Sequence, residues 1–308
     1  LFWSGYILAR EKRHDFVSAN QLSLTGVGVL ALFCLVRFLG YVKLISFEGS
    51  ARGYGDTALN PVGVAFANTC LGLLFLLLAI LSKSLLRKAL FLLVACAAVF
   101  VVLSSASRGA IIWGALAMVF FFLLNRHRGY LTGRGLLLAL ISMALTLPVV
   151  VVLYNANYAI SERIDILIDR FTQMLDLFNK YGGGDSSVTA RQTYWTSYLS
   201  TIDQWIIFGE KGQHGYPHNQ WLEIFVKFGL LGTPMFLMSI ILFFKISWSA
   251  VREKLHPDVE FSIIATLFMF GYLSSMTSLS LQVNRVMWLG FGYLLGFYLQ
   301  RSKRQNRV

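Results

Sequence analysis

Three cationic or titratable side chains stand in this sequence where chemistry could be done, each beside a long apolar run. His218 closes the polar, glycine-rich stretch Gly209-Glu210-Lys211-Gly212-Gln213-His214-Gly215-Tyr216-Pro217-His218-Asn219 and leads into an apolar segment. A neutral imidazole is a competent general base near pH 7. Taken alone, His218 is as simply an interfacial histidine bonded to backbone. Arg108, in Ser107-Arg108-Gly109, falls between two apolar runs so close together that a tight helical hairpin is expected, with Gly109 in the turn. A guanidinium there can grip a phosphate with paired hydrogen bonds, or merely snorkel to lipid phosphates. Arg191, in Thr189-Ala190-Arg191-Gln192-Thr193-Tyr194-Trp195, belongs to the first turn of an expected helix. That is a poor place for a cation on dipole grounds, and so points to an anion nearby. An exposed arginine paired with Asp185 or Asp203 is the plainer alternative.

A fourth polar stretch, Arg52-Gly53-Tyr54-Gly55-Asp56 with Asn60-Pro61, could line the same site or be a simple turn-rich connection, and has no catalytic role here. Several common devices are missing from the sequence. There is no Asp-x-Asp pair, no Cys/His metal spacing, no phosphate-cradling loop ending in Lys-Ser/Thr and no Gly-x-Ser-x-Gly elbow.

The elements that must position these residues are membrane helices. Of 308 residues, 56% are apolar and 14% charged, where a soluble domain carries about 25% charged residues. Apolar runs of the roughly 20 residues needed to cross a bilayer recur near 20–44, 61–82, 89–106, 109–125, 135–154, 222–246, 259–278 and 283–300. The chain opens at Leu1, and residues 1–9 read as the end of a helix that began earlier, so a clipped first helix is expected. The expected fold is all-α: a polytopic transmembrane bundle of about eight full spans, forming one membrane domain over 1–308. The net charge of +12 comes largely from short connections rather than one continuous face, which argues against nucleic acid as a partner. Cys34, Cys70 and Cys96 lie inside expected spans without paired spacing and behave as small apolar side chains.

The connections 10–16, 82–88, 126–134, 245–258 and 301–308 hold 16 Lys and Arg, against 4 in the opposite short connections (Lys43, Arg52, Arg108 and Arg285). By the positive-inside rule the first set is cytoplasmic. The long connection 155–221 is then outside, together with Arg108, Arg191 and His218. Within it Ile160, Ile164, Leu167, Phe171, Met174 and Phe178 form one apolar helical stripe, with Glu162, Arg163, Asp165, Asp169, Arg170 and Asp176 off it. After the break at Gly182-Gly183-Gly184-Asp185-Ser186-Ser187, a second helix is expected from Val188 to about Trp205, with Trp195, Tyr198, Leu199 and Ile202 on one side.

Taken in order, Ser107-Arg108-Gly109, Arg191 to Trp195, His218-Asn219 to Leu222-Glu223, and Gly229-Leu230-Leu231-Gly232 resemble the recurring features of the bacterial O-antigen ligase and Wzy-type O-antigen polymerase family. The segment from Arg52 to Pro61 also looks like that family's Arg/Gly-rich loop before Asn-Pro. The resemblance runs from about residue 20 onward. It implies a multi-pass enzyme of the cytoplasmic (inner) membrane whose active face is periplasmic. Such an enzyme transfers a glycan from an undecaprenyl-pyrophosphate carrier, without a cofactor, metal or nucleotide sugar. The acceptor is lipid A-core in a ligase, or a second lipid-linked glycan in a polymerase of O-antigen or capsular repeats. His218 is then the general base, selected over His214 by the Asn219 that follows. Arg108 and Arg191 hold the pyrophosphate, and a single inverting displacement follows from the lack of an obvious carboxylate nucleophile. A transporter or flippase of the same lipid is the competing class; it predicts charged or broken helices at mid-membrane.

Overall fold

A computed structural model describes residue 32 and residues 61–105, 107–126, 129–156, 158–178, 186–209, 219–252, 259–277 and 284–305. The expected first span at 20–44 and the Arg52 to Asn60 segment lie outside the described residues, Leu32 excepted. The described residues are all-helical: α1 (Pro61–Leu81), α2 (Leu85–Ser104), α3 (Arg108–Leu124), α4 (Gly129–Ala156), α5 (Tyr158–Phe178), α6 (Ser186–Ser200), α7 (Ile202–Trp205), α8 (Gln220–Val251), α9 (Val259–Ser275) and α10 (Arg285–Gln305). They group into two compact units that divide between Asp169 and Arg170, within α5.

In the first unit α1 and α2 pack along their length around Phe75, Val94, Ala95 and Ala98. Small residues let them approach: a Cβ on Gly72 would sit 3.4 Å from that of Ala98. Likewise a Cβ on Gly114 of α3 would come within 2.8 Å of Thr69 Cγ2 on α1. The polarity of α4 is reversed relative to a soluble helix. Ser142 and Thr146 are buried, while Leu136, Leu137, Leu140, Leu145, Leu147, Val151 and Val152 are exposed. Small and polar groups between helices with aliphatic groups outward is the pattern of helices whose surroundings are lipid tails.

Among the described residues, three helices are long and apolar enough to cross a bilayer, over Gly63–Leu81, Leu85–Leu103 and Gly135–Ala156. A fourth crossing is present if the two halves of α8 count as one. Of the eight crossings expected, the one at 20–44 lies outside the described residues apart from Leu32. The helices α3 and α9 are apolar but have 17 residues each, about 25 Å at 1.5 Å per residue against a core of about 30 Å. Polar Gln300, Arg301, Lys303 and Arg304 occupy the last turns of α10, which is not among the three.

The connection at 155–221 is helical where described, as the periodicity predicts. On α5, Leu167 is buried and Ile164 and Phe171 are half-buried, while Glu162, Asp165 and Asp169 are exposed. The Tyr154 hydroxyl at the end of α4 donates to Asp165 at 2.9 Å. The second expected helix is corrected. It ends at Ser200, and Thr201 separates it from the single turn α7. Of its predicted apolar side only Tyr198 is buried; Trp195, Leu199 and Ile202 remain exposed.

The expected span at 222–246 is also corrected, because α8 is broken. Gly229 has φ 60° and ψ −164°, a region essentially restricted to glycine. The halves Gln220–Pro234 and Phe236–Ser249 meet at 70°. Pro234 adds to the bend, since it has no N–H to donate and its ring crowds the preceding turn. Beyond the bend Phe243 packs on Phe268 of α9 at 4.1 Å between ring centroids, and Phe268 contacts Phe291 of α10.

Candidate functional site

Arg108 is the first residue of α3 and is half-buried. The tight hairpin expected from the sequence is present: α2 ends at Ser104, α3 begins at Arg108, and Ser105 and Ser107 flank the turn. The Ser105 hydroxyl donates back to Val102 O at 2.6 Å, and buried Ser107 stands at the cap position of α3 in extended conformation. Arg108 therefore stands at the start of α3, directly after the turn. Arg191 lies in the second unit and in α6, but five residues after its start at Ser186. It is in the second turn and not the first as expected, and the dipole argument for a nearby anion falls. The side chain of Arg191, and His214 and His218 altogether, lie outside the described residues.

The described residues that bound the segment 210–218 are Gly209 and Asn219. On its C-terminal side Asn219 caps α8, its Oδ1 accepting from the Leu222 N–H at 3.1 Å. This satisfies one of the amides that a helix start leaves without a partner. The same side chain donates from Nδ2 to Met276 O, at the end of α9, at 3.5 Å. Gln220 is fully buried and reaches Met287 Sδ on α10 at 3.4 Å. Asn284 repeats the pattern at the start of α10: Oδ1 accepts from the Met287 N–H at 3.2 Å, and Nδ2 donates to Gly271 O at 2.5 Å. The starts of α8 and α10 and the end of α9 are thus tied together by amide side chains.

On the N-terminal side, backbone meets backbone. The Leu230 N–H, displaced from its helix by the break, donates to Ile206 O at 2.7 Å, and the Gly209 N–H donates to Trp205 O at 2.8 Å. A Cβ on Gly209, at φ 80°, would lie 2.3 Å from Lys227 O; one on Gly229 would lie 2.3 Å from Ile207 O. Only two glycines admit this approach. Buried Trp205 fills the space beneath, with Tyr198 and Val226 around it, and donates from Nε1 to Tyr198 O at 3.1 Å. Glu223, one turn into α8, is fully buried and ion-paired at 2.5 Å with Lys227, whose side chain is 43% exposed. The carboxylates of Glu162, Asp165, Asp169 and Asp203 are exposed.

Sequence reasoning missed three parts of this arrangement. It treated Gly229-Leu230-Leu231-Gly232 as the continuation of a span, although paired glycines beside a proline signal a break. It gave no role to Gln220 or Asn284, although Asn three residues before an apolar position is a cap signature. It also gave none to Glu223 beyond its place in the motif. Comparison with protein-family models, with curated proteins and with solved structures finds no match to this chain.

Proposed function

We propose that this chain is a membrane glycosyltransferase that moves a glycan from an undecaprenyl-pyrophosphate carrier to lipid A-core, acting at the periplasmic face of the bacterial inner membrane through eight or so spans. The observation that supports the reading is that Gly209 and Asn219, the described residues on either side of the segment holding His218, are both fixed. Gly209 is fixed by its close approach to α8 at Gly229, and Asn219 as the cap of α8. A base must be positioned before its basicity is useful. In the reaction, an acceptor hydroxyl attacks the anomeric carbon while His218 takes its proton. The bond from that carbon to the pyrophosphate oxygen breaks, and the carrier pyrophosphate leaves with the bonding pair. Arg108 and Arg191 stabilise the charge that gathers on it. The displacement inverts the anomeric centre and uses no cofactor, metal or nucleotide sugar.

Purified protein given carrier-linked glycan with lipid A-core should release free carrier pyrophosphate and form glycosylated core. Product only when a second carrier-linked glycan replaces the core would make it a Wzy-type polymerase. No loss of glycan from the carrier with either acceptor would sink the transferase reading. One specific observation favours the flippase alternative: the broken α8, with the ion-paired Glu223 and Lys227 shortly before the non-helical Gly229. Proteoliposomes would then move a fluorescent carrier-linked glycan between leaflets without consuming it. The orientation has its own test. A cysteine at Ser186 should react with an impermeant thiol reagent in spheroplasts, and a cysteine at Lys83 should not.

A further inference from the structure

The large apolar side chains of Ile207, Phe208, Phe228, Leu230 and Leu231 are exposed, Phe208 at 76% and Leu231 at 66%. They stand on two stretches of backbone pressed together. The Leu230 N–H donates to Ile206 O, and Gly209 lies against the backbone of Lys227 and Phe228. The result is one apolar patch at the corner where the two halves of α8 meet at 70°. Apolar surface gathered in this way marks a place where something other than water belongs.

The far end of α8 sets the depth of that corner. There Lys245, Trp248 and Arg252 are exposed, and the Arg252 guanidinium stacks over the Trp248 ring at 4.6 Å from its centroid. An aromatic with cations beside it is what a helix carries where it meets the membrane–water boundary. From that boundary Phe236–Ser249 extends about 20 Å at 1.5 Å per residue, against a hydrocarbon core of about 30 Å. The bend is therefore reached before the core has been crossed, and any tilt leaves it deeper. Exposed Leu237, Met238, Ile241 and Phe244 give this half an outward apolar stripe. Among the described residues no exposed polar side chain lies between Leu231 and Leu237, so the stripe continues into the patch.

The corner is also built as lipid requires. Non-helical backbone is tolerated at membrane depth only where its polar groups find partners in the protein. The Leu230 and Gly209 amides do so, on Ile206 O and Trp205 O, and the Trp205 indole is bound to Tyr198 O. Lys227, beside the patch, is paired with buried Glu223, the way charges persist near hydrocarbon. Asp203 and Gln204 of α7 are exposed just before the patch. The chain thus passes from polar to apolar surface within a few residues.

We propose that residues 206–209 and 228–231 form an elbow embedded in the bilayer, its exposed apolar side chains covered by the acyl chains of surrounding lipid. The connection 155–221, expected to be external over its whole length, then dips into the membrane before α8 begins. The elbow does not depend on glycan transfer; it rests only on the membrane character of the helices.

The test is nitroxide accessibility on the full chain in phospholipid nanodiscs, with Cys34, Cys70 and Cys96 replaced by alanine. Labels are attached singly through Phe208→Cys and Leu231→Cys. Met238→Cys serves as the lipid-facing reference and Thr196→Cys on α6 as the water-facing one. Oxygen concentrates in hydrocarbon, whereas a nickel chelate stays in water. Labels at 208 and 231 should favour oxygen over nickel severalfold more than the label at 196 does, and should match the label at 238. High nickel access would place the elbow in water. Low access to both would mean that protein, from this chain or a second copy, covers it. Either result overturns the proposal. Should the cysteine-free chain fail to fold, a photoreactive benzophenone amino acid at position 208 of the otherwise native chain decides the matter. Its adducts should be phospholipid; adducts to protein, or none at a dose that labels lipid from position 238, would overturn the elbow.

Discussion

The two units spend their polar groups differently. In the first, the side-chain bonds of Asn68 to Val64 O, Thr69 to Ala65 O, Asn125 to Phe121 O and Thr146 to Ser142 O each span a single turn. Cys96 with Ser142 and Tyr154 with Asp165 join neighbouring elements there. The second unit also contains one-turn bonds, such as Thr266 to Ser262 O. It adds a set that joins separate elements: Asn219 to Met276, Gln220 to Met287, Asn284 to Gly271, and the Leu230 amide to Ile206. A one-turn bond hides a polar group from lipid and fixes nothing else. A bond between elements fixes geometry, and geometry is what a reacting site requires.

That contrast fails if the polar groups of the second unit prove as dispensable as those of the first. The largest effect is expected at His218. Its replacement by Ala should lower transfer by about 10²–10⁴-fold with carrier affinity nearly normal, while His214→Ala is mild. Loss in His214→Ala with full activity in His218→Ala would move the base by four residues. Next comes the first unit's own contribution to chemistry. Arg108→Ala should cost about 2–5 kcal/mol in transition-state binding, and Arg108→Lys should remain impaired because the planar fork is gone. Full activity in both returns Arg108 to a lipid-facing role.

Effects on stability should follow the same contrast. In Gly229→Ala the new methyl would meet the Ile207 carbonyl in a backbone region that disfavours any side chain. About 3 kcal/mol of folding stability should be lost, read as a lower melting temperature in detergent. Gly63→Ala, with open space around it, is the control. Asn284→Ala should cost about 1–3 kcal/mol by orphaning buried backbone groups on α9 and α10. The smallest change is expected for Thr146→Val in the first unit, under about 1 kcal/mol, because the lost bond served only its own helix. Equal losses in Asn284→Ala and Thr146→Val would erase the distinction between the two units.

Helices were legible in the sequence because apolar runs and their spacing record the surroundings of a helix directly. The runs at 61–82, 89–106, 109–125 and 135–154 correspond to α1 through α4, with ends displaced by a few residues or, at the start of α4, by six. The hairpin at Arg108 was equally plain, since two residues between hydrophobic runs leave no other path. What composition does not record is direction. Apart from Gly229, Gly232 and Pro234, nothing in the apolar run 222–246 distinguishes a straight helix from one whose halves meet at 70°. The break depends on a partner, the Ile206 carbonyl, that lies 24 residues earlier. Long-range backbone contacts of that sort leave only glycines behind in the sequence.

The contact between Gly209 and Gly229 also bears on how such a chain can change. Both ends of the segment 210–218 are anchored within one unit, at Gly209 and at the Asn219 cap. Its ends keep their places whatever lies between them. Lengthening a loop with fixed ends is cheap, about 0.6 kcal/mol for each doubling of length. Residues 210–217 can therefore be extended or rewritten in sequence while Gly209 and Asn219 keep their places.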